Sequence, residues 1–98
     1  MLYKYRYTKR AVSKIRAFYT NVAMKYRHAY SLEDMNRNIR DAFLNIYSIE
    51  KQLPRRQPTL NRWQNYFMAH SGQWYYAYTI NEDIITVVDA CHAQNMHD

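Results

Sequence analysis

The sequence predicts an α+β fold: a two-helix hairpin packed on one face of a four-stranded, mainly antiparallel sheet, in the order β-α-α-β-β-β. Three observations predict it. The start alternates with period two, two later stretches repeat apolar residues at spacings of three and four, and the last third holds strand-like runs separated by turn residues. With 98 residues, 48% of them hydrophobic, residues 1–98 make one domain with one sizeable core.

The elements follow in order. In "LYKYRY", Leu2, Lys4 and Arg6 alternate with Tyr3, Tyr5 and Tyr7, a short strand with one aromatic face. Thr8 is a suitable N-cap. Val12, Ile15, Tyr19, Val22 and Tyr26 then form the stripe of an amphipathic helix over about residues 9–27, with Lys9, Lys14, Arg16 and Lys25 off the stripe. Ser31 and Asp34 make a near capping box, and Glu33 and Asp34 suit the positive end of a second helix. Its stripe runs through Met35, Ile39, Ala42, Phe43, Ile46, Ile49 and Leu53, so the helix should span 32–53 and stop at Pro54. The basic loop "PRRQPTLNRW" leads to three strand-like runs, "WQNYFMAH", "QWYYAYTI" and "IITVVDA". Ser71-Gly72 and Asn81-Glu82-Asp83 separate them as turns. The expected core includes Ile15, Tyr19, Phe43, Ile46, Tyr76 and Tyr78. The helices should cover one sheet face and leave the other partly open.

Charge is unevenly placed. All 14 Lys and Arg lie in residues 1–62 against four acids, a balance of +10, while residues 63–98 hold four acids and neither Lys nor Arg, a balance of −4, for the net +6. A pI near 9.6 implies a polyanionic partner, nucleic acid or an acidic protein; part of the charge is what solvated helix surfaces ordinarily carry. Cys91 is the single cysteine, which excludes an intrachain disulfide and a cysteine metal cluster. No stretch reaches the roughly 18 apolar residues of a membrane span. "MLYKYRYTKR" is not followed by an apolar run, so no signal peptide and a cytoplasmic location are expected.

The order β-α-α-β-β-β, the basic "LPRRQPTL" and the ending "WYYAYTINEDIITVVDACHAQN" together resemble the RelE/ParE superfamily of bacterial toxins, the toxin halves of type II toxin–antitoxin pairs. The ending is similar to the ParE side: Tyr78, the acidic turn Glu82-Asp83, the run Ile84 to Val88, then His92-Ala93-Gln94-Asn95. The resemblance implies an antitoxin partner that wraps the toxin with an extended, often acidic segment, a toxin–antitoxin hetero-oligomer, and a target that is either DNA gyrase or ribosome-bound messenger RNA. RelE-type ribonucleases typically place an Arg on the third strand. Tyr75 stands at the matching position, which favours a toxin that poisons a protein such as DNA gyrase. The alternative is a ribosome-dependent endoribonuclease, with His92, Arg55 and Arg56 as its working groups.

The candidate residues each have two readings. His92 is either a catalytic imidazole, titrating near neutrality, or a structural histidine tying the tail to the sheet. Arg55, Arg56 and Arg62 flank a proline-fixed loop and either bind an anion or are solvated. Tyr75 alternates away from Trp74, Tyr76 and Tyr78, and either stacks on a base or covers a groove. His92, His97, Asp89 and Asp98 match no usual zinc spacing, so neither a metal nor another cofactor is expected.

Overall fold

The computed structural model describes residues 3–52 and 58–97. Leu53, Pro54, Arg55 and Arg56 lie outside them. Strand β1 (Lys4–Tyr7) leads into helix α1 (Lys9–Lys25) and helix α2 (Leu32–Asn45), followed by β2 (Phe67–Ser71), β3 (Trp74–Asn81) and β4 (Ile84–His92). The expected β-α-α-β-β-β order is therefore present. The sheet order is β1-β4-β3-β2, with β1 parallel to β4 and the two later pairs antiparallel.

Local chemistry sets the helix ends. Thr8 Oγ1 accepts the Ala11 N–H and starts α1. At α2, Ser31 Oγ accepts the Asp34 N–H while Asp34 Oδ2 accepts the Ser31 N–H, the reciprocal capping box. The Asp34 carboxylate also pairs with Arg37 one turn on. The second helix does not run on to 53 as a single α-helix. It tightens at Asn45 into a 3-10 helix, Ile46–Gln52, where residues three apart eclipse. That pitch turns both Ile46 and Ile49 inward, and both are fully buried.

The two tight strand connections show what each sequence permits. Gly72, at φ +61, occupies the first position of the two-residue β2–β3 loop, where a left-handed backbone suits glycine. In the β3–β4 turn Glu82 takes φ 56 without that freedom. The Asp83 carbonyl at that turn accepts the Lys4 N–H and ties β1 into the sheet.

The main core lies between the helices and one sheet face. Ala11, Ile15, Ala42, Ile46, Ile49, Trp74, Tyr76, Tyr78, Ile85 and Val87 are buried there. Tyr76 O–H donates to the Ala42 carbonyl at 2.6 Å, which anchors the sheet to α2. Tyr19 and Phe43, expected in the core, are only half-buried at its border. The Tyr19 hydroxyl accepts the Trp74 indole N–H at 3.0 Å, and the Phe43 ring lies edge-on to Tyr7 at the β1 side. On β1, Tyr5 is half-buried against the core while Tyr7 stays exposed at its edge. Tyr5 donates to Glu50 Oε2 at 2.9 Å, and the Tyr7 and Tyr47 hydroxyls are 2.9 Å apart.

The second sheet face is more covered than the sequence suggested. Leu60 and Trp63, just after the proline loop, fold back over β2, β3 and β4 and are 2% and 1% exposed. They pack with Met68, Ala77 and Cys91, flanked by Tyr66, Tyr75, Val88 and Met96. "WQNYFMAH" is accordingly not a strand from its start. Asn61–Trp63 is a short 3-10 turn, and pairing begins at Phe67. The reason is hydrophobic: a buried indole gains more here than an exposed strand residue would.

A bulge in β4 completes the arrangement. Ala77 pairs with Asp89 but Tyr78 pairs with Val87, leaving Val88 unmatched. Beyond it the alternation reverses. Ala90 joins Ile85 and Val87 under the helices, while Asp89 turns to the other face and accepts the Trp63 indole N–H at 2.9 Å.

Candidate active-site cleft

Strand β1 pairs with β4 only as far as Tyr7↔Val87. The chain then turns into α1, with Thr8 donating its N–H to the Val87 carbonyl and its hydroxyl to the Val88 carbonyl. The last residues of β4 therefore have no strand neighbour on that side. A cleft of about 240 Å³ opens there, lined by Lys14, Phe18 and Asn21 from α1, by Arg62, and by Cys91, His92, Asn95 and His97 at the end of the chain.

Helix geometry supplies the first wall. Lys14, Phe18 and Asn21 stand at i, i+4 and i+7 and so share one face. The β4 bulge supplies the second, because it aims His92 toward α1. The His92 ring stacks on Phe18, centroids 4.0 Å apart and nearly parallel, and meets the edge of Trp74 at 5.5 Å. Its Nδ1 accepts the Gln94 N–H at 3.3 Å. Removal of solvent by these neighbours lowers the pKa of His92 below the ordinary imidazole value, so the ring is mainly neutral at pH 7.

Trp63 supplies the third wall by fixing its neighbour. With the indole held on Asp89, Arg62 projects outward, its guanidinium 5.8 Å from the Trp63 ring centroid. Its Nη2 donates to Cys91 Sγ at 3.6 Å and its Nη1 approaches the His97 carbonyl at 3.5 Å. Among the described residues neither Arg62 nor Lys14 forms an ion pair with a carboxylate; the ion pair present is Arg37–Asp34. Burial raises the pKa of the Cys91 thiol, with Arg62 and Lys14 pulling it partly back. The thiol therefore stays protonated at neutral pH.

The cleft brings together two of the residues singled out by sequence, His92 and Arg62. Tyr75 is elsewhere. It is half-buried, stacks on His70 with centroids 4.3 Å apart, and packs in the cluster under Trp63. It therefore covers the second sheet face rather than lining the cleft. Arg55 and Arg56 fall outside the described residues. The sequence reading missed Lys14 and His97 as site residues. The signal for Lys14 was its spacing to Phe18 and Asn21. For His97 there was none, since the tail is placed by the 3-10 turn Ala93–Asn95.

Chemically, the cleft offers two unneutralised cations, a neutral imidazole held at a fixed angle, a second imidazole and two amides. That set suits a phosphodiester: cations for the phosphate, imidazoles for proton movement, amides for base edges.

No protein-family model and no curated protein matches the sequence. Among solved structures the chain is similar to the crystal structure of YafQ from E. coli strain BL21(DE3), at 19% identity and a TM-score of 0.47, over 98% of this chain and 99% of that one.

Proposed function

We propose that the protein is the toxin of a type II toxin–antitoxin pair and acts as an endoribonuclease on ribosome-bound messenger RNA. The observation that carries this is the convergence of Lys14, Arg62, His92 and His97 on one cleft. The sequence alone favoured a gyrase poison, because Tyr75 leaves the third strand without a cation. Cations on α1 and on the segment after the proline loop, both lining the cleft, support the ribonuclease reading despite Tyr75.

In the cleavage step the ribose 2′-oxygen bonds to phosphorus as the bond to the 5′-oxygen breaks. The 2′-hydroxyl proton needs an acceptor and the leaving 5′-oxygen needs a donor. His92, kept neutral by its surroundings, is the acceptor. The 3.3 Å contact from Gln94 to Nδ1 is long enough to be given up, and moving the ring proton to Nδ1 frees Nε2. His97 is the donor. Lys14 and Arg62 offset the extra negative charge that develops on the phosphoryl oxygens. The basic balance of residues 1–62 draws in the polyanion and equally the acidic segment of an antitoxin. Both encounters take place in the cytoplasm.

The test is induction of the wild type, His92→Ala and Arg62→Ala in a bacterial host, with primer-extension mapping of messages and a DNA gyrase supercoiling assay in parallel. Codon-phased cleavage that disappears in both variants is expected, with gyrase unaffected. Intact messages together with inhibited supercoiling would overturn the proposal in favour of a gyrase poison.

A further inference from the structure

A second pocket of about 280 Å³ adjoins the cleft, lined by Phe18, Asn21, Val22, Lys25, Tyr26, Gln94 and Asn95. Phe18, Asn21 and Asn95 belong to both, so the two form one groove along α1. Lys14, Phe18, Asn21 and Lys25 recur at helical spacing over roughly 16 Å of axis, at 1.5 Å per residue, and Tyr26 follows as the C-cap.

We infer that this extension is a subsite for a nucleotide flanking the scissile phosphate, with the Tyr26 ring as the platform on which its base stacks. This rests on the cleft binding RNA. Four features of the groove support it. Tyr26 is 53% exposed, a large aromatic side chain left mostly in solvent. Its backbone is nonetheless fixed: it caps α1 through its N–H to the Val22 carbonyl, and its own carbonyl accepts the N–H groups of Ala29 and Tyr30. An exposed ring on a fixed backbone gives up less entropy when a base lies on it than a ring on a mobile loop would. Lys25 Nζ stands 5.5 Å from the ring centroid, within reach of the phosphate of a base stacked there. Asn21, Gln94 and Asn95 supply amides that can both donate to and accept from base edges.

An apolar protein segment would fit this groove less well. Its lining sets Phe18, Val22 and Tyr26 among three amides, from Asn21, Gln94 and Asn95, and the Lys25 ammonium, polar groups that an apolar segment could not pair. Aromatic rings interleaved with cations along a track are what a single strand requires, since every base has a π-face and every phosphate a charge.

The probe is a short oligoadenylate with 2′-O-methyl riboses and a 5′ fluorophore, which cannot be cleaved because its nucleophile is blocked. Fluorescence anisotropy is read for the wild type, Tyr26→Ala, Tyr26→Phe, Lys14→Ala and Arg62→Ala, each checked for an unchanged thermal melt. Tyr26→Ala should weaken binding about tenfold, within the range for loss of one base–aromatic stack, and Tyr26→Phe should bind like the wild type. If Lys14→Ala and Arg62→Ala weaken binding while Tyr26→Ala does not, the subsite is refuted and the cleft survives. If no variant changes the affinity, or the wild type does not bind, both are refuted.

Discussion

Trp63 links the fold to the cleft, and replacing it with Phe tests that link. The indole is 1% exposed and Asp89 is 4% exposed. Their hydrogen bond, Nε1 to Oδ2, measures 2.9 Å, while Asp89 Oδ1 takes the Ala90 N–H at 2.9 Å. Phe keeps most of the apolar bulk but leaves one oxygen of a buried carboxylate without a donor. Losing a hydrogen bond to a charged group costs about 1.5–3 kcal/mol, and the small void adds on the order of 1 kcal/mol. The expected loss in urea melts followed by circular dichroism is therefore about 2–4 kcal/mol, with the dependence on denaturant unchanged. A double-mutant cycle isolates the pair. Asp89→Ala should cost less in the Trp63→Phe background than in the wild type, by about 1.5–3 kcal/mol. A loss below about 0.5 kcal/mol, or a cycle additive within about 0.5 kcal/mol, would refute the claim that this bond holds the second cluster together. Arg62 would then owe its position to something else.

Three further outcomes are expected. A base must be unprotonated to act, so the cleavage rate should rise with pH through the pKa of His92, with its midpoint below the usual imidazole 6.5; a midpoint above 7 in a pH–rate profile would contradict His92 as the base. Burial raises the pKa of the fully buried Tyr76 phenol above its usual 10, so its contribution to stability is complete below pH 10 and is lost above it as the unfolded chain ionises, by about 1.4 kcal/mol per pH unit. Tyr76→Phe should cost about 1–2 kcal/mol at pH 7 for the lost bond to Ala42 and flatten that alkaline decline, and an equally steep decline in the variant would refute it. Glu82→Gly should be neutral or stabilising by up to about 1 kcal/mol, because it relieves a left-handed backbone at φ 56; a loss beyond about 0.5 kcal/mol would show that the Glu82 side chain holds the turn.

Element type and order were legible in the chain because they depend on local pattern. Period two at Tyr3, Tyr5 and Tyr7, the stripe through Ile15, and the box at Ser31 and Asp34 each involve residues within a turn or two of one another. Those are the distances over which periodicity and capping act. The end of α2 was misjudged because the apolar spacing of Ile46 and Ile49 suits a 3-10 helix as well as an α-helix. The role of Trp63 was missed because its partner, Asp89, is 26 residues away.

The cleft belongs to tertiary structure. Strict alternation from Ile85 would place Asp89 and Cys91 under the helices and turn His92 away from them. A single unmatched residue, Val88, reverses this, and backbone pairing with β3 decides where that residue sits. The same holds for charge. The sequence displayed its cations and His92 in separate regions, and a reading confined to neighbours along the chain found no cation beside His92. Lys14 and Arg62 line one cleft with it because β1 ends four residues into its pairing with β4 and because a buried indole pins the segment that carries Arg62. Both are contacts between parts of the chain that only the folded molecule brings together.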